Sequence, residues 1–199
     1  MYHPAVRLIL ASASPRRAEL LTAAGYTFDV VPVDVDEMPE ARETPLDYVR
    51  RVAVDKARAS RLAGSAAIVL AADTTVAIDG VILGKPDDPA DASRMLRMLS
   101  GREHLVHTAV AVRGGRAADS HGPDITVEVA TTRVRLLQMS AAEIDWYVAS
   151  GEPDGKAGAY AVQGRASRFV EWLEGSHSNV VGLPVHLVHL LLGQRGYLR

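Results

Sequence analysis

Apolar and polar positions change period repeatedly along this chain, and each change marks the boundary of an element. Val6 to Ala11 is a continuous apolar run that reads as a buried strand. Small polar residues follow, with Ser14 at a helix N-cap position and Pro15 at the favoured first helical position. Ala18, Leu20, Leu21 and Ala24 give that helix an apolar side, and Gly25 supplies a stop. Beyond an acidic loop from Asp34 to Glu43, Thr44-Pro45 with Asp47 predicts a second helix running to about Leu62, with Gly64 marking its end. "AAIVLAAD" reads as a buried strand ending at Asp73, and "TVAIDGVILGKP" as a hairpin turned at Asp79-Gly80.

The second half continues in the same way. Asp88-Pro89 with Asp91 opens a helix carrying Met95, Leu96, Met98 and Leu99, stopped at Gly101, and "HLVHTAVAV" is a strand. Arg113 to Pro123 reads as a loop. Thr126 to Leu136 alternates as a half-exposed strand does. Ser140 and Glu143 form a capping box for a helix closed by Gly151. "EPDGKAGAYAVQGRAS" is a glycine-rich functional loop, "RFVEWLEG" a last strand, and Pro184 to Leu192 a last helix. Strands and helices alternate, but hairpins interrupt a strict βαβ series, so a mixed-sheet α/β fold is expected. No internal repeat or long linker divides residues 1–199, which are expected to form a single domain.

Composition narrows the classes of function. The chain has 199 residues, enough to bury roughly 70% of its unfolded surface, and its 48% hydrophobic and 23% charged content is that of an ordinary globular protein. A net charge of −2 argues against a general nucleic-acid binder while leaving room for a local cationic pocket. With no cysteine there is neither a disulfide framework nor a thiolate metal site or nucleophile. "MYHPAVRLILASASP" lacks the features of a signal peptide, and no apolar run reaches the ~20 residues of a membrane span, so no membrane association and a cytoplasmic location are expected.

Charge placement then points to chemistry. Arg16 and Arg17 occupy the first turn of a helix, where the positive end of the dipole prefers carboxylates. They are either solvated surface arginines or part of an anion site with free backbone N–H groups and the Ser12 and Ser14 hydroxyls. "LGKP" does not match a Walker phosphate loop, because Pro86 follows Gly84-Lys85 and a hairpin arm precedes them; Lys85 is a surface lysine or a point charge on phosphate. Asp73 could orient a water, accept its proton, bind a divalent cation, or cap a turn. Glu37 could supply a second carboxylate, and oxygen ligands favour Mg²⁺ or Mn²⁺ over zinc. By pattern alone Lys56 is a surface lysine, and His104, His107, His186 and His189 are structural.

Four blocks stand in one order: "LILASASPRRAELL", "AADTTVAIDGVILGKP", "MLRMLSGREHLVHTAVAV" and "GKAGAYAVQGRASRFV…GSHSNVVGLP". Together they closely resemble the Maf family of nucleotide pyrophosphatases over nearly the whole chain. The resemblance implies an α/β fold related to the inosine-triphosphate pyrophosphatase (Maf/Ham1-like) type, with a mixed sheet flanked by helices and two lobes around a cleft. It implies metal-dependent hydrolysis of nucleoside triphosphates to monophosphate and pyrophosphate, and a homodimer. Carried over by motif, Asp73 matches the catalytic proton acceptor. Arg16, Thr74 and Gln163 match positions associated with pyrimidine selection in the branch acting on dTTP and UTP. Glu37, Lys56 and Lys85 fall on active-site positions; Glu37, with Asp73, is assigned to metal, and Lys56, Lys85, Arg17, Ser12 and Ser14 to the triphosphate. The chain departs from the family pattern at Gly155, where an aspartate usually precedes the lysine, and at Ala72, where glycine is frequent before the aspartate. A nucleotide-binding regulator of division or septum formation, and a phosphohydrolase releasing orthophosphate, are the rival readings.

Overall fold

The computed structural model describes residues 6–61, 67–115 and 124–197. In chain order its regular elements are β1 (Arg7–Leu10), α1 (Pro15–Ala23), β2 (Asp29–Val30), α2 (Pro45–Ala59), β3 (Ala67–Ile78), β4 (Val81–Leu83) and α3 (Pro89–Leu99). There follow β5 (Glu103–Gly114), β6 (Ile125–Leu136), α4 (Ala141–Val148), β7 (Val170–Glu174), α5 (His177–Val181) and α6 (Val185–Gln194). The strands form one seven-stranded mixed sheet in the order β2-β1-β3-β5-β6-β7, with β4 also paired to β3. β1 runs parallel to β2 and β3, and the remaining pairs are antiparallel. This is the expected mixed-sheet α/β architecture. No described helix is long and apolar enough to cross a membrane.

Local chemistry accounts for most boundaries. Thr44 and Asp88 accept the backbone N–H groups of Asp47 and Asp91, each with proline directly after the cap, and Ser140 and Glu143 complete a reciprocal capping box. The β3–β4 turn places Asp79 and Gly80 both at positive φ, which is what a two-residue hairpin requires.

Four boundaries differ from the sequence reading. α2 stops at Ala59 rather than near Leu62, because Ser60 is extended and the carbonyls of Arg58 and Ser60 accept from the Arg113 guanidinium; Gly64 lies outside the described residues. β3 does not end at Asp73: β5 pairs with it from Ile68 to Ala77, so the aspartate sits in mid-strand. Arg113 and Gly114 belong to β5 rather than to the expected loop, of which residues 116–123 lie outside the described residues. The last strand starts at Val170, after a short 3₁₀ turn.

Two features of the sheet position the site. The twelve-residue strands β3, β5 and β6, each about 40 Å long, run from one hydrophobic region to another. At one end, Leu8, Leu10, Leu70 and Leu191 fill one face and Ile9, Val49, Val52 and Val69 the other; at the far end Leu83, Leu96, Leu136 and Tyr147 form a separate cluster. The second feature is a gap along one edge of β3. β1 covers residues 67–70 and β4 covers Val76 to Ile78, so among the described residues no strand lies beside Ala71 to Thr75 on that edge. The two lobes expected from the family resemblance are these two core regions, and the gap opens between them.

Candidate active site

A cleft of about 820 Å³ lies over the gap, and it is lined by Ser12, Ser14, Arg16, Arg17, Glu37, Lys56, Asp73, Thr74, Lys85 and Gln163. Every residue singled out from the sequence as catalytic, metal-binding or substrate-binding therefore reaches one space. Strand alternation divides the two residues at its centre. Asp73 has the parity of Val69 and Ala71 and faces α2, whereas Thr74 has the parity of Leu70 and Ala72 and faces α1 and α5.

On the Asp73 side a chain of alternating charges crosses the cleft floor. Lys56 Nζ lies 2.8 Å from Asp73 Oδ1 and 2.7 Å from Glu37 Oε1, and Lys85 Nζ lies 2.9 Å from Glu37 Oε2. Lys56 is only 7% exposed, not the surface lysine its neighbourhood in sequence suggests. It occupies the same face of α2 as Val49, Val52 and Ala53, seven, four and three residues earlier, a spacing that carries the signal. Glu37 arrives by another pattern: Val31, Val33 and Val35 pack inward at every second position, and Glu37 continues that alternation into the cleft. Its backbone is pinned by the Tyr48 hydroxyl, which donates to the Glu37 carbonyl at 3.0 Å, and by Arg51, which donates to the carbonyl of Met38.

Electrostatics separate the two carboxylates. Burial pushes Asp73 up from the usual aspartate value, against the opposing charges of Lys56 and Arg17 and the Lys56 hydrogen bond. Its Oδ2 is buried with no hydrogen-bond partner among the described residues. Partial burial would also raise Glu37, but hydrogen bonds and charge from Lys56 and Lys85 outweigh it and hold this carboxyl at about 2. A carboxylate with a raised pKa and an unpaired oxygen is a candidate proton acceptor; its neighbour remains an anion at any working pH.

On the Thr74 side the buried Arg17 guanidinium is already engaged. Its Nε donates to the Gly182 carbonyl at 2.9 Å, Nη1 to Ser12 Oγ at 3.0 Å and Nη2 to Thr74 Oγ1 at 3.2 Å. The arginine thus ties α1, β3 and the end of α5 together, which the sequence alone did not show. Ser12 Oγ also accepts from the Ser14 backbone, and Thr74 Oγ1 shares a bond with Thr108. Ser14 makes no side-chain cap, and Arg16 and Gln163 make no side-chain hydrogen bond or ion pair with other described residues, so these groups are free to meet a ligand.

Two of the histidines, His104 and His107, are buried and hydrogen-bonded within the protein. His104 Nε2 pairs with the Tyr160 hydroxyl at 2.8 Å, and burial lowers its pKa to about 4; His107 pairs with Thr131. Tyr160 itself lines the cleft, as do Asp87, Lys156 and Gly182, none of which was singled out from sequence.

Comparison with known proteins shows the family and the fold. A family model described as Maf-like protein matches residues 7–195. The chain belongs to the Maf family. Relatives within it include a dTTP/UTP pyrophosphatase of Anaeromyxobacter dehalogenans, 52% identical across 97% of this chain and 96% of that protein. A dTTP/UTP pyrophosphatase of Methylococcus capsulatus is 52% identical over 90% of this chain and 86% of its own length. One from Chromobacterium violaceum is 46% identical over 96% of each. Among solved structures, a HAM1 protein from Coxiella burnetii covers 94% of this chain and 99% of its own, with a TM-score of 0.52 at 16% identity, a likeness of fold. The Maf chain described here thus shares the Ham1-like architecture expected from its motifs.

Proposed function

We propose that this Maf protein acts as a single-domain nucleoside triphosphate pyrophosphatase on dTTP and UTP, releasing the nucleoside monophosphate and pyrophosphate. The observation that carries the reading is the buried, unpartnered Oδ2 of Asp73, facing a cleft whose floor alternates Asp73, Lys56, Glu37 and Lys85. The names of relatives about 50% identical over nearly their whole length support the substrate class.

In this mechanism Asp73 orients a water molecule and takes its proton as the water oxygen attacks the α-phosphorus. The α–β phosphoanhydride bond breaks, and its electron pair leaves with the bridging oxygen on pyrophosphate. Lys56 and Lys85 lie where negative charge accumulates, prearranged by their pairing with Glu37. Ser12, Ser14 and the free N–H groups at the start of α1 receive phosphate oxygens, with Arg17 holding Ser12 in place. Thr74 and Gln163 read the pyrimidine, and Arg16, at the start of α1, joins the cations that meet the phosphates; a free amide such as that of Gln163 both donates and accepts, as a pyrimidine edge demands.

A divalent cation fits this donor set. Each Glu37 oxygen meets one lysine and keeps a second lone pair, and Asp73 borders the same space, while no group of three or more metal-ligating side chains occurs among the described residues. Two carboxylates completed by phosphate oxygens and water are what Mg²⁺ or Mn²⁺ takes in a nucleotide site. When bound there, such an ion supplies positive charge to the phosphate oxygens.

The test is a side-by-side assay of dTTP, UTP, CTP, GTP and 7-methyl-GTP, with pyrophosphate and orthophosphate measured separately. dTTP and UTP should be the best substrates, with pyrophosphate as product. A purine preference would refute the base assignment. Orthophosphate as the primary product would refute the chemistry, and binding without turnover would favour a regulatory role.

A further inference from the structure

The cations of the cleft fall into two groups. Arg17, Lys56 and Lys85 are tied to protein acceptors or carboxylates. Arg16 and Lys156 are not. Arg16 makes no side-chain hydrogen bond or ion pair with any other described residue. Lys156 Nζ meets only the backbone carbonyl of Asp154, at 3.2 Å, and pairs with no carboxylate among the described residues. Both line the cleft, and they approach it from different lobes. Arg16 belongs to α1, whose Leu21 packs in the near core; Lys156 is followed by Ala157 and Ala159, which pack in the far core.

The position of Lys156 is built rather than incidental. Its backbone N–H donates to Pro153, and its carbonyl accepts from Ala159. Two residues on, Gly158 has φ +67 and lies so close to β3 that an added Cβ would stand 2.8 Å from Val76 Cγ2. The Gly158 N–H donates to the Gly84 carbonyl, adjacent to Lys85. The segment is therefore docked on the strand that carries Asp73 and on the hairpin that carries Lys85. This backbone brings a second unpaired cation to the cleft that Arg16 lines. Partial burial lowers the Lys156 pKa, and the charge of Arg16 lowers it further, against weaker opposition from Glu152 and Asp154.

We propose that Lys156 is a further substrate-binding residue, which with Arg16 grips the polyphosphate of the nucleotide between the two lobes. This rests on the triphosphate reading of the same cleft. A polyphosphate placed between the two side chains replaces their mutual repulsion with two charge-assisted contacts. It also explains why neither cation has a carboxylate partner, whereas Lys56 and Lys85 share Glu37. The paired lysines are held for the reaction centre, and the unpaired cations are left to receive the incoming anion.

Calorimetric titration of the full chain with inorganic triphosphate, in Mg²⁺ buffer, tests this without depending on turnover. Loss of one charge-assisted contact should weaken binding by about tenfold in Lys156→Gln, while Lys156→Arg should restore most of it. Thermal unfolding checks that both variants are folded, and dTTP kinetics should show the loss mainly in KM. A loss of fivefold or more in the glutamine variant, with the arginine variant closer to wild type, supports the proposal. A smaller loss, or an equal loss in both variants, overturns it. Wild-type protein that binds triphosphate yet converts neither dTTP nor UTP refutes the proposed function and leaves the Lys156 comparison readable. Wild-type protein that does not bind triphosphate refutes both.

Discussion

Lys56→Met removes one ammonium and keeps most of the aliphatic stem, and its consequences can be worked from the contacts. In the native protein Lys56 Nζ lies between Asp73 and Glu37, with only 9% of its own side chain and 7% of that of Asp73 exposed. Removing one partner of a buried pair costs about 3–5 kcal/mol, because the remaining charge is left uncompensated. Asp73 can escape that penalty by taking up a proton, so the cost depends on pH. Its folded pKa is already raised by burial and rises further without the lysine. A raised folded pKa gives stability that is fully present below the unfolded value of about 3.9 and is lost as pH rises through the folded value. Glu37 has the opposite sign: its depressed pKa gives stability present above the unfolded value and lost as pH falls towards about 2. Between pH 5 and 8 Glu37 stays ionised, so the slope in that window belongs to Asp73. Urea denaturation at pH 5, 6, 7 and 8 should therefore show a destabilisation growing with pH to about 3–5 kcal/mol. For a chain of this size that corresponds to a drop in Tm of about 6–20 °C. Adding Asp73→Asn to the variant should recover much of the loss. A loss below about 1 kcal/mol at pH 8, or one that does not grow with pH, would refute the coupling of Lys56 to a buried carboxylate.

Four further substitutions separate chemistry from scaffolding. Asp73→Asn should lower kcat by about 10²–10⁴-fold with little change in Tm, since the amide oxygen still accepts from Lys56; near-normal turnover would sink its role as proton acceptor. Arg17→Met should cost about 2–4 kcal/mol in urea denaturation through loss of its bonds to Gly182, Ser12 and Thr74; a loss under about 1 kcal/mol would show that these bonds do not brace the cleft. Gly158→Ala and Gly155→Ala share a positive φ, but only at Gly158 does the new methyl meet Val76. The former should lose about 1–3 kcal/mol and raise KM for dTTP more than the latter; equal effects would show that backbone conformation alone matters there.

Those residues also show how far the sequence could be read. The caps at Thr44, Asp88 and Ser140 and the Asp79-Gly80 turn act within a few residues, so their signals are local and the structure repeats them. Lys56 reads as a surface residue by pattern because its charge outweighs its spacing; only the carboxylates at positions 37 and 73 make a lysine tolerable on that buried face. Asp73 reads as the end of a strand because polar residues follow it, yet pairing with β5 carries the strand four residues further, to Ala77. Arg17 reads as an anion ligand at a helix start; its contact with the Gly182 carbonyl is 165 residues away in sequence, and no periodicity reports such a bond. The two-residue β2 and the five-residue α5 are too short to leave a pattern.

The long strands β3, β5 and β6 have a mechanical consequence. Both core regions are built on the same three hydrogen-bonded ribbons, so no swivelling linker among the described residues separates one from the other. The sheet behaves as a stiff beam, and closing the cleft by swinging the lobes would mean bending it across its paired backbone. Adjustment to a nucleotide therefore falls to what is attached at the notch: the extended segment bearing Glu37, the hairpin bearing Lys85 and the glycine-rich turn bearing Lys156. Structures with and without nucleotide should superpose along the beam and differ at those three attachments.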